Sequence, residues 1–383
     1  MALKQSNRGQ VPPFIVMDVM RAAEERERAG GEVLHLEVGQ PGTGAPKAVI
    51  DAAAKALSDD RIGYTNALGL WSLREAVAVH YQDCYGVQVT PDSVVITTGS
   101  SGGFVLSFMA AFDAGDRVAL ASPGYPAYRN ILKGLGVEVV DLPTRLEDNF
   151  QPTRRVLETL DRAIDGLIIA SPSNPAGTMI HEDTLRDLVD HCRVNGVRLI
   201  SDEIYHGITY GAAAATALTF TRDAVIINSF SKYYSMTGWR LGWMVVPDDL
   251  HRPVECLAQN LFISPPAISQ LAAIQAFGCR EELYANVARY ARNRAVLLKK
   301  LPQAGFTRLA PTEGAFYIYA DVSELTNDAA DFCRRMLAET GVAATPGVDF
   351  DPARGSKYVR FSFAGDEAVI DEAANRLITW KPA

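Results

Sequence analysis

Lys232 stands in the string Ser229-Phe-Ser-Lys232-Tyr-Tyr-Ser-Met-Thr-Gly-Trp-Arg240-Leu-Gly-Trp243, a lone lysine among hydroxyl and aromatic side chains. Burial in such company disfavours the ammonium form, and a neutral amine is the nucleophile that condenses with a carbonyl. Arg240 is the next cation along the string, and Ser229 lies just before the lysine. A hydroxyl and a guanidinium together can hold a phosphate dianion. A strand-to-loop segment whose Lys and Arg merely face water is the plainer alternative for that pair alone. Asp202, in Asp202-Glu-Ile-Tyr205, ends a run rich in branched residues, where a buried carboxylate needs a cationic partner. Asn174, in Asn174-Pro-Ala-Gly177, places an amide side chain on a turn after a strand. Arg360 interrupts the aromatic strand Tyr358-Val-Arg360-Phe-Ser-Phe363, so its guanidinium is desolvated and paired, with a structural Asp or with a bound carboxylate.

Such residues need elements that bring them together. Apolar runs at 93–98, 116–121, 166–170, 197–201 and 223–228 read as strands, and helical patterns alternate with them. That alternation predicts βα units and a mostly parallel sheet, whose ligands bind outside the carboxyl ends of the strands. Gly99-Ser100-Ser101-Gly-Gly103 lies between a strand and a helix at 104–112. Amides at a helix start make an anion site, although a plain tight turn has the same composition. Near the amino terminus a helix at 14–29 precedes a strand at 33–38 and the turn Gly39-Gln-Pro-Gly42, where backbone amides can approach a ligand closely or simply turn the chain. Tyr64 follows a glycine, a setting in which an aromatic more often serves packing. A long amphipathic helix at 281–301 leads into a second unit of aromatic strands and helices.

Bulk properties set the limits. A chain of 383 residues can bury a large core and is long for one domain. With 48% hydrophobic and 21% charged residues, it is not expected to hold long disorder. A net charge of −8 gives no basic footprint, so nucleic acid is not an expected partner. Five scattered cysteines without a Cys-x-x-Cys pair support neither a disulfide framework nor a zinc site, and the six histidines show no ligand spacing. No metal is expected. With no signal-peptide pattern and no membrane-length apolar run, a soluble cytoplasmic protein is expected.

The string Ser-x-Ser-Lys followed by Met-Thr-Gly-Trp-Arg-x-Gly resembles the cofactor-lysine motif of the class I/II aminotransferases of the aspartate aminotransferase superfamily, the fold type I pyridoxal-phosphate enzymes. Asn174 and Asp202 stand before Lys232 in that family's order and spacing, and the resemblance runs unbroken over residues 13–363. It implies an α/β fold with a large cofactor domain at 45–282 and a smaller α/β domain from 12–44 and 283–383. It implies pyridoxal 5'-phosphate as cofactor, with Lys232 as the Schiff-base lysine and proton carrier and Asp202 on the pyridine nitrogen. Asn174 and Tyr205 would serve its phenolic oxygen, and Tyr125 would stack on its ring. Gly99, Ser100, Ser101, Ser229 and Arg240 would hold its phosphate, joined by Tyr64 of a neighbouring subunit.

The same resemblance assigns Arg360, Gly39 and Asn174 to the substrate carboxylate. Ile15, with Phe14, Phe262 and Ile263, is expected near the side-chain pocket, and their apolar character suggests neutral or aromatic amino acids. The implied reaction moves an amino group between an amino acid and a 2-oxo acid in two half-reactions, in a homodimer with shared active sites. Carbon–sulfur β-elimination can use the same residues. A ligand-sensing regulator of the same fold would carry a DNA-binding domain, and no helix-turn-helix or basic arm is evident. The chain departs from the family pattern at Tyr233, where a small residue is expected after the lysine.

Overall fold

The computed structural model describes residues 3–60 and 62–381. Its main feature is a seven-stranded sheet in the spatial order Val94–Thr97, Gly242–Val245, Val225–Ser229, Arg198–Asp202, Gly166–Ala170, Arg117–Ser122, Glu138–Pro143. Gly242–Val245 runs antiparallel to both neighbours, and the other pairings are parallel. The expected mostly parallel sheet is therefore present. For this sheet the expected strand ends fall within a residue or two of the observed ones, whereas the strand expected at 33–38 is only Leu34–His35.

Helices cover both faces, which explains why the central strands carry apolar side chains on each side. Along them, alternate residues enter two different cores. Leu167, Ile169, Leu199, Ile226 and Trp243 pack on one side, and Ile168, Ile200, Val225, Ile227 and Met244 on the other. Glu138–Pro143, at the sheet's edge, is half exposed and carries charged residues, as an unpaired edge requires.

A second, antiparallel sheet has the order Thr345–Pro346, Tyr358–Ser362, Tyr317–Asp321, Arg308–Leu309. It packs on helices through a core that includes Phe316, Phe332, Phe361 and Leu377. The amino-terminal segment joins this sheet's surroundings: Leu34–His35 pairs in parallel with Val342–Ala343, and the Ser362 amide donates to the Leu36 carbonyl at 2.7 Å. Residues 34–39 are thereby carried to the edge of the C-terminal unit, beside the carboxyl ends of the large sheet.

The helix expected at 104–112 begins earlier, at Gly99, and runs Gly99–Ala111. Gly99 has φ +72°, and a Cβ there would come within 2.6 Å of the Arg240 guanidinium. Only glycine allows both the turn and that approach. The five cysteines are free, and no cluster of metal-ligating side chains occurs among the described residues. No helix among them is long and apolar enough to cross a membrane.

Candidate active site

The carboxyl ends of the parallel strands face a cavity of about 310 Å³. Lys232, Asp202, Asn174, Tyr205, Tyr125, Arg240, Arg360, Ser100, Ser101 and Gly39, all singled out in the sequence, line it. Lys232 Nζ donates to the Gly39 carbonyl at 2.6 Å and lies 6.0 Å from the centre of the Tyr205 ring. Its pKa is lowered to about 8, first by burial and then by the Arg360 and Arg240 cations, with Asp202 opposing. A lysine so placed has a substantial neutral fraction near pH 8, the form that attacks a carbonyl.

Asp202 terminates the strand Arg198–Asp202 and is 3% exposed. Tyr128 donates a short hydrogen bond to its Oδ2, and the Ile204 amide donates to Oδ1 at 3.0 Å. Burial nevertheless pushes its pKa up to about 6. Such a carboxylate is short of positive charge, and a protonated ring nitrogen is a group that would supply it.

Arg360 lies on the strand Tyr358–Ser362, directly opposite Tyr319 and Thr345 in the antiparallel register. Its guanidinium sits 4.4 Å from the Tyr317 ring centre and 4.8 Å from that of Phe350. Nη1 donates to Asn174 Oδ1 at 2.9 Å, and Nη2 donates to the Glu37 carbonyl and to Thr345 Oγ1. Nε has no partner among the described residues, and Arg360 forms no ion pair with a carboxylate there. Asp349, the nearby acid that could have been a structural partner, instead accepts the amides of Ile15 and Val16 at 2.9 and 3.3 Å. The buried cation therefore reaches the cavity without a direct carboxylate partner, Asp349 acting on it only through space.

Not every expected residue reaches the cavity. Ser229 is buried with its hydroxyl on Ser231 Oγ and the Leu241 carbonyl, and Ser231 is the serine that lines the cavity. Tyr64 is 85% exposed and lies on a separate open cleft with Pro265 and Pro266. Ile15 is not part of the lining; it starts the helix Ile15–Arg28 through its amide, while Phe14, Val16, Met17 and Met20 supply the wall. Phe262 packs against the large-sheet core, and Ile263 is 55% exposed. Gly39 meets Lys232 through its carbonyl, and a Cβ there would collide with the Tyr317 hydroxyl.

Sequence reasoning missed two phenols. Tyr128, to which the sequence pattern assigns no role at the site, holds Asp202. Its spacing from Tyr125 was the available signal, since positions i and i+3 across the start of the helix Pro126–Leu135 share a face. Tyr317 shares its hydroxyl with Tyr205 at 2.7 Å and supports Arg360 with its ring. It lies two residues from Tyr319, the cross-strand partner of Arg360, and same-face alternation could have found it.

The family model for aminotransferase class I and II matches residues 31–377. The valine–pyruvate aminotransferase of Mycobacterium tuberculosis is 53% identical over 380 residues, 98% of either chain. The (5-formylfuran-3-yl)methyl phosphate transaminase of Methanocaldococcus jannaschii is 35% identical over 369 residues, 95% of either chain. A crystal structure of an aminotransferase from Mycobacterium tuberculosis superposes with a TM-score of 0.97 at 53% identity, covering 99% of both chains.

Proposed function

This chain belongs to the class I and II aminotransferases, and from that premise we propose which residues carry the reaction and which substrates they select. It is a transaminase, moving an amino group between an amino acid and a 2-oxo acid. Carbon–sulfur elimination and ligand sensing are not favoured, because both relatives named above are transaminases along nearly their whole length. The family uses pyridoxal phosphate. Our reading of the domains is a large one at 45–282 and a small one from 12–44 and 283–383.

The residues fit that cofactor on physical grounds. A buried, cation-poor carboxylate at Asp202 suits a pyridine N–H, and Tyr125 offers an aromatic face. Asn174 uses its oxygen on Arg360, leaving its amide nitrogen to donate to a phenolic oxygen, with Tyr205 beside it. Ser100 and Ser101, at the start of Gly99–Ala111, line the cavity with Ser231 and Arg240, while Gly99 lies against the Arg240 guanidinium and Ser229 braces Ser231. That set of groups suits a phosphate. When bound, pyridoxal phosphate supplies an electron-accepting ring that stabilises the charge left as a proton leaves the amino acid's Cα.

The chain's own groups do the rest. Lys232 Nζ would hold the cofactor aldehyde and is the base that would take the proton from the amino acid's Cα. Acid–base work of this kind contributes ~10²–10⁴-fold. Arg360, with Asn174 and Gly39 beside it, holds the substrate carboxylate and so fixes which Cα bond faces Lys232. Tyr128 keeps Asp202 in place. Tyr64 acts across a homodimer, its phenol donating to the phosphate of the partner's site. A cytoplasmic setting is part of the reading, supported by five unpaired cysteines.

One observation carries the substrate class. Around the cavity the only cations among the described residues are Lys232, Arg240 and Arg360, whereas the wall toward the amino-terminal helix is Phe14, Val16, Met17 and Met20. A neutral, apolar amino acid suits that wall, and a second substrate carboxylate finds no counter-charge. Valine, with pyruvate as acceptor, is the proposed pair, in keeping with the activity named for the 53%-identical relative. The test is a donor panel of valine, alanine, leucine, phenylalanine, aspartate and glutamate with pyruvate and 2-oxoglutarate, followed by mass spectrometry. Apolar donors with pyruvate should lead, and a tenfold preference for aspartate or glutamate would overturn the assignment.

A further inference from the structure

The helix Ile15–Arg28 lacks a side-chain cap of its own: Phe14, at the N-cap position, offers none. Its first amides are satisfied from far away. Asp349, 5% exposed in the turn Gly347–Asp349, accepts the Ile15 amide on Oδ1 and the Val16 amide on Oδ2, across 334 and 333 residues. A carboxylate at a helix start satisfies otherwise orphaned donors and meets the positive end of the dipole. The neighbouring residue, Phe350, lies under the Arg360 guanidinium, and its carbonyl accepts the Gly124 amide at 3.0 Å, next to Tyr125. One short turn thus touches the carboxylate-facing arginine, the loop of the cavity's tyrosine and the start of the helix.

The far end of the helix is fastened independently. Ala23 is buried with Leu337 and Ala343, and Arg26 donates to the Glu32 and Ala338 carbonyls at 3.1 Å. Residues 3–13 before the helix are exposed. Asp349 is therefore the polar anchor of the first turn, and that turn carries Phe14, Val16 and Met17 of the cavity wall, with Met20 one turn on. Phe14 in addition sets its ring edge-on to Tyr125 at 5.7 Å.

We infer that Asp349 is a positioning residue for side-chain selectivity: by capping the helix it fixes the apolar wall against which the substrate's side chain packs. It touches no reacting atom. This rests on the reading that the cavity takes apolar amino acids. A displaced wall costs a branched side chain its contacts but leaves the carboxylate and Cα of any amino acid where Arg360 and Lys232 hold them. Alanine, with one methyl, loses little.

The experiment measures kcat and KM for valine and alanine as donors in wild type, Asp349→Ala, Asp349→Asn and Met20→Ala, alongside amide hydrogen exchange of the whole enzyme. For Asp349→Ala, kcat/KM for valine relative to alanine should fall about tenfold, largely through KM, the scale set by a methyl or two in an apolar pocket. Asp349→Asn keeps one acceptor oxygen and should fall between. Met20→Ala shortens the same wall without touching the cap and should lower the same ratio. Amides 15–20 should exchange at least tenfold faster in Asp349→Ala, with amides 23–28 unchanged. Equal losses for valine and alanine in Asp349→Asn, or an unchanged ratio in every variant, overturn the inference. A wild-type enzyme that prefers acidic donors would instead overturn the substrate reading.

Discussion

Arg360 is held in a fixed plane before any substrate arrives, between two rings and with three protein acceptors. A pre-ordered guanidinium loses little entropy on binding a carboxylate, and its buried charge makes the pairing strong. Removing one member of a buried charged pair costs 2–5 kcal/mol by general experience, about a 30- to 5,000-fold change. Arg360→Leu should thus lower kcat/KM for an amino acid at least a hundredfold, yet affect an amine without a carboxylate by less than tenfold. Comparing the two donors in parallel checks this, and equal losses would return Arg360 to a structural role. Lys232 gives a pH test. Because burial and two arginines lower its pKa to about 8, its neutral fraction rises through pH 7–9 instead of through pH 9.5–11.5. Cofactor-free protein should therefore take up pyridoxal phosphate faster as pH climbs from 7 to 9 and level off above that. Stopped-flow absorbance would show it; a rate still rising tenfold between pH 9 and 10 would not fit.

The segment after the strand Val225–Ser229 has to hold Lys232 still, and aromatic packing does so. Phe230 and Tyr234 are fully or nearly fully buried and pack with Trp243 and Phe277, and the Met236 amide closes back on the Phe230 carbonyl at 3.0 Å. Tyr233, the departure from the family pattern, is accommodated by Gly207: a Cβ there, at φ +88°, would come within 2.6 Å of the Tyr233 ring. Phe230→Ala should destabilise the protein by about 3–5 kcal/mol, the usual cost of emptying a buried aromatic site. Denaturant titration measures it, and a loss under 1 kcal/mol would mean the loop is supported elsewhere. What the sequence revealed follows from the same physics. Asp202 ends a strand of strong apolar character, and Asn174 and Lys232 closely follow such strands, so local pattern located them. Tyr128, Tyr317 and Asp349 act through contacts between distant segments, and no local periodicity marks a residue whose partner lies 74 or 334 positions away. Ile15 was placed by proximity in sequence to the right wall, but the helix turns its neighbours, not its own side chain, to the cavity.

At the scale of the whole molecule, a phenol 85% exposed beside the partly exposed Ile62, on an open cleft lined by Pro265 and Pro266, is the mark of a covered surface. A two-fold dimer would bury it and make the contact reciprocal. Tyr64→Phe should then speed cofactor loss about tenfold, the worth of one charge-assisted hydrogen bond. Following mass in solution and cofactor retention across a dilution series checks this, and a fully active monomer would exclude a shared site. The pairing of Ser229 with Gly242 has a separate consequence for how the molecule is made. It closes the loop bearing Lys232 and Arg240 at its neck, so both reach position for the small entropy cost of a short loop. Asn174 and Asp202 come earlier in the chain, whereas Tyr317 and Arg360 come much later. During synthesis, every residue that we assign to the cofactor leaves the ribosome before Arg360, which we assign to the amino acid's carboxylate. On that assignment the growing chain would hold its own cofactor-facing residues while it still lacks a grip on substrate.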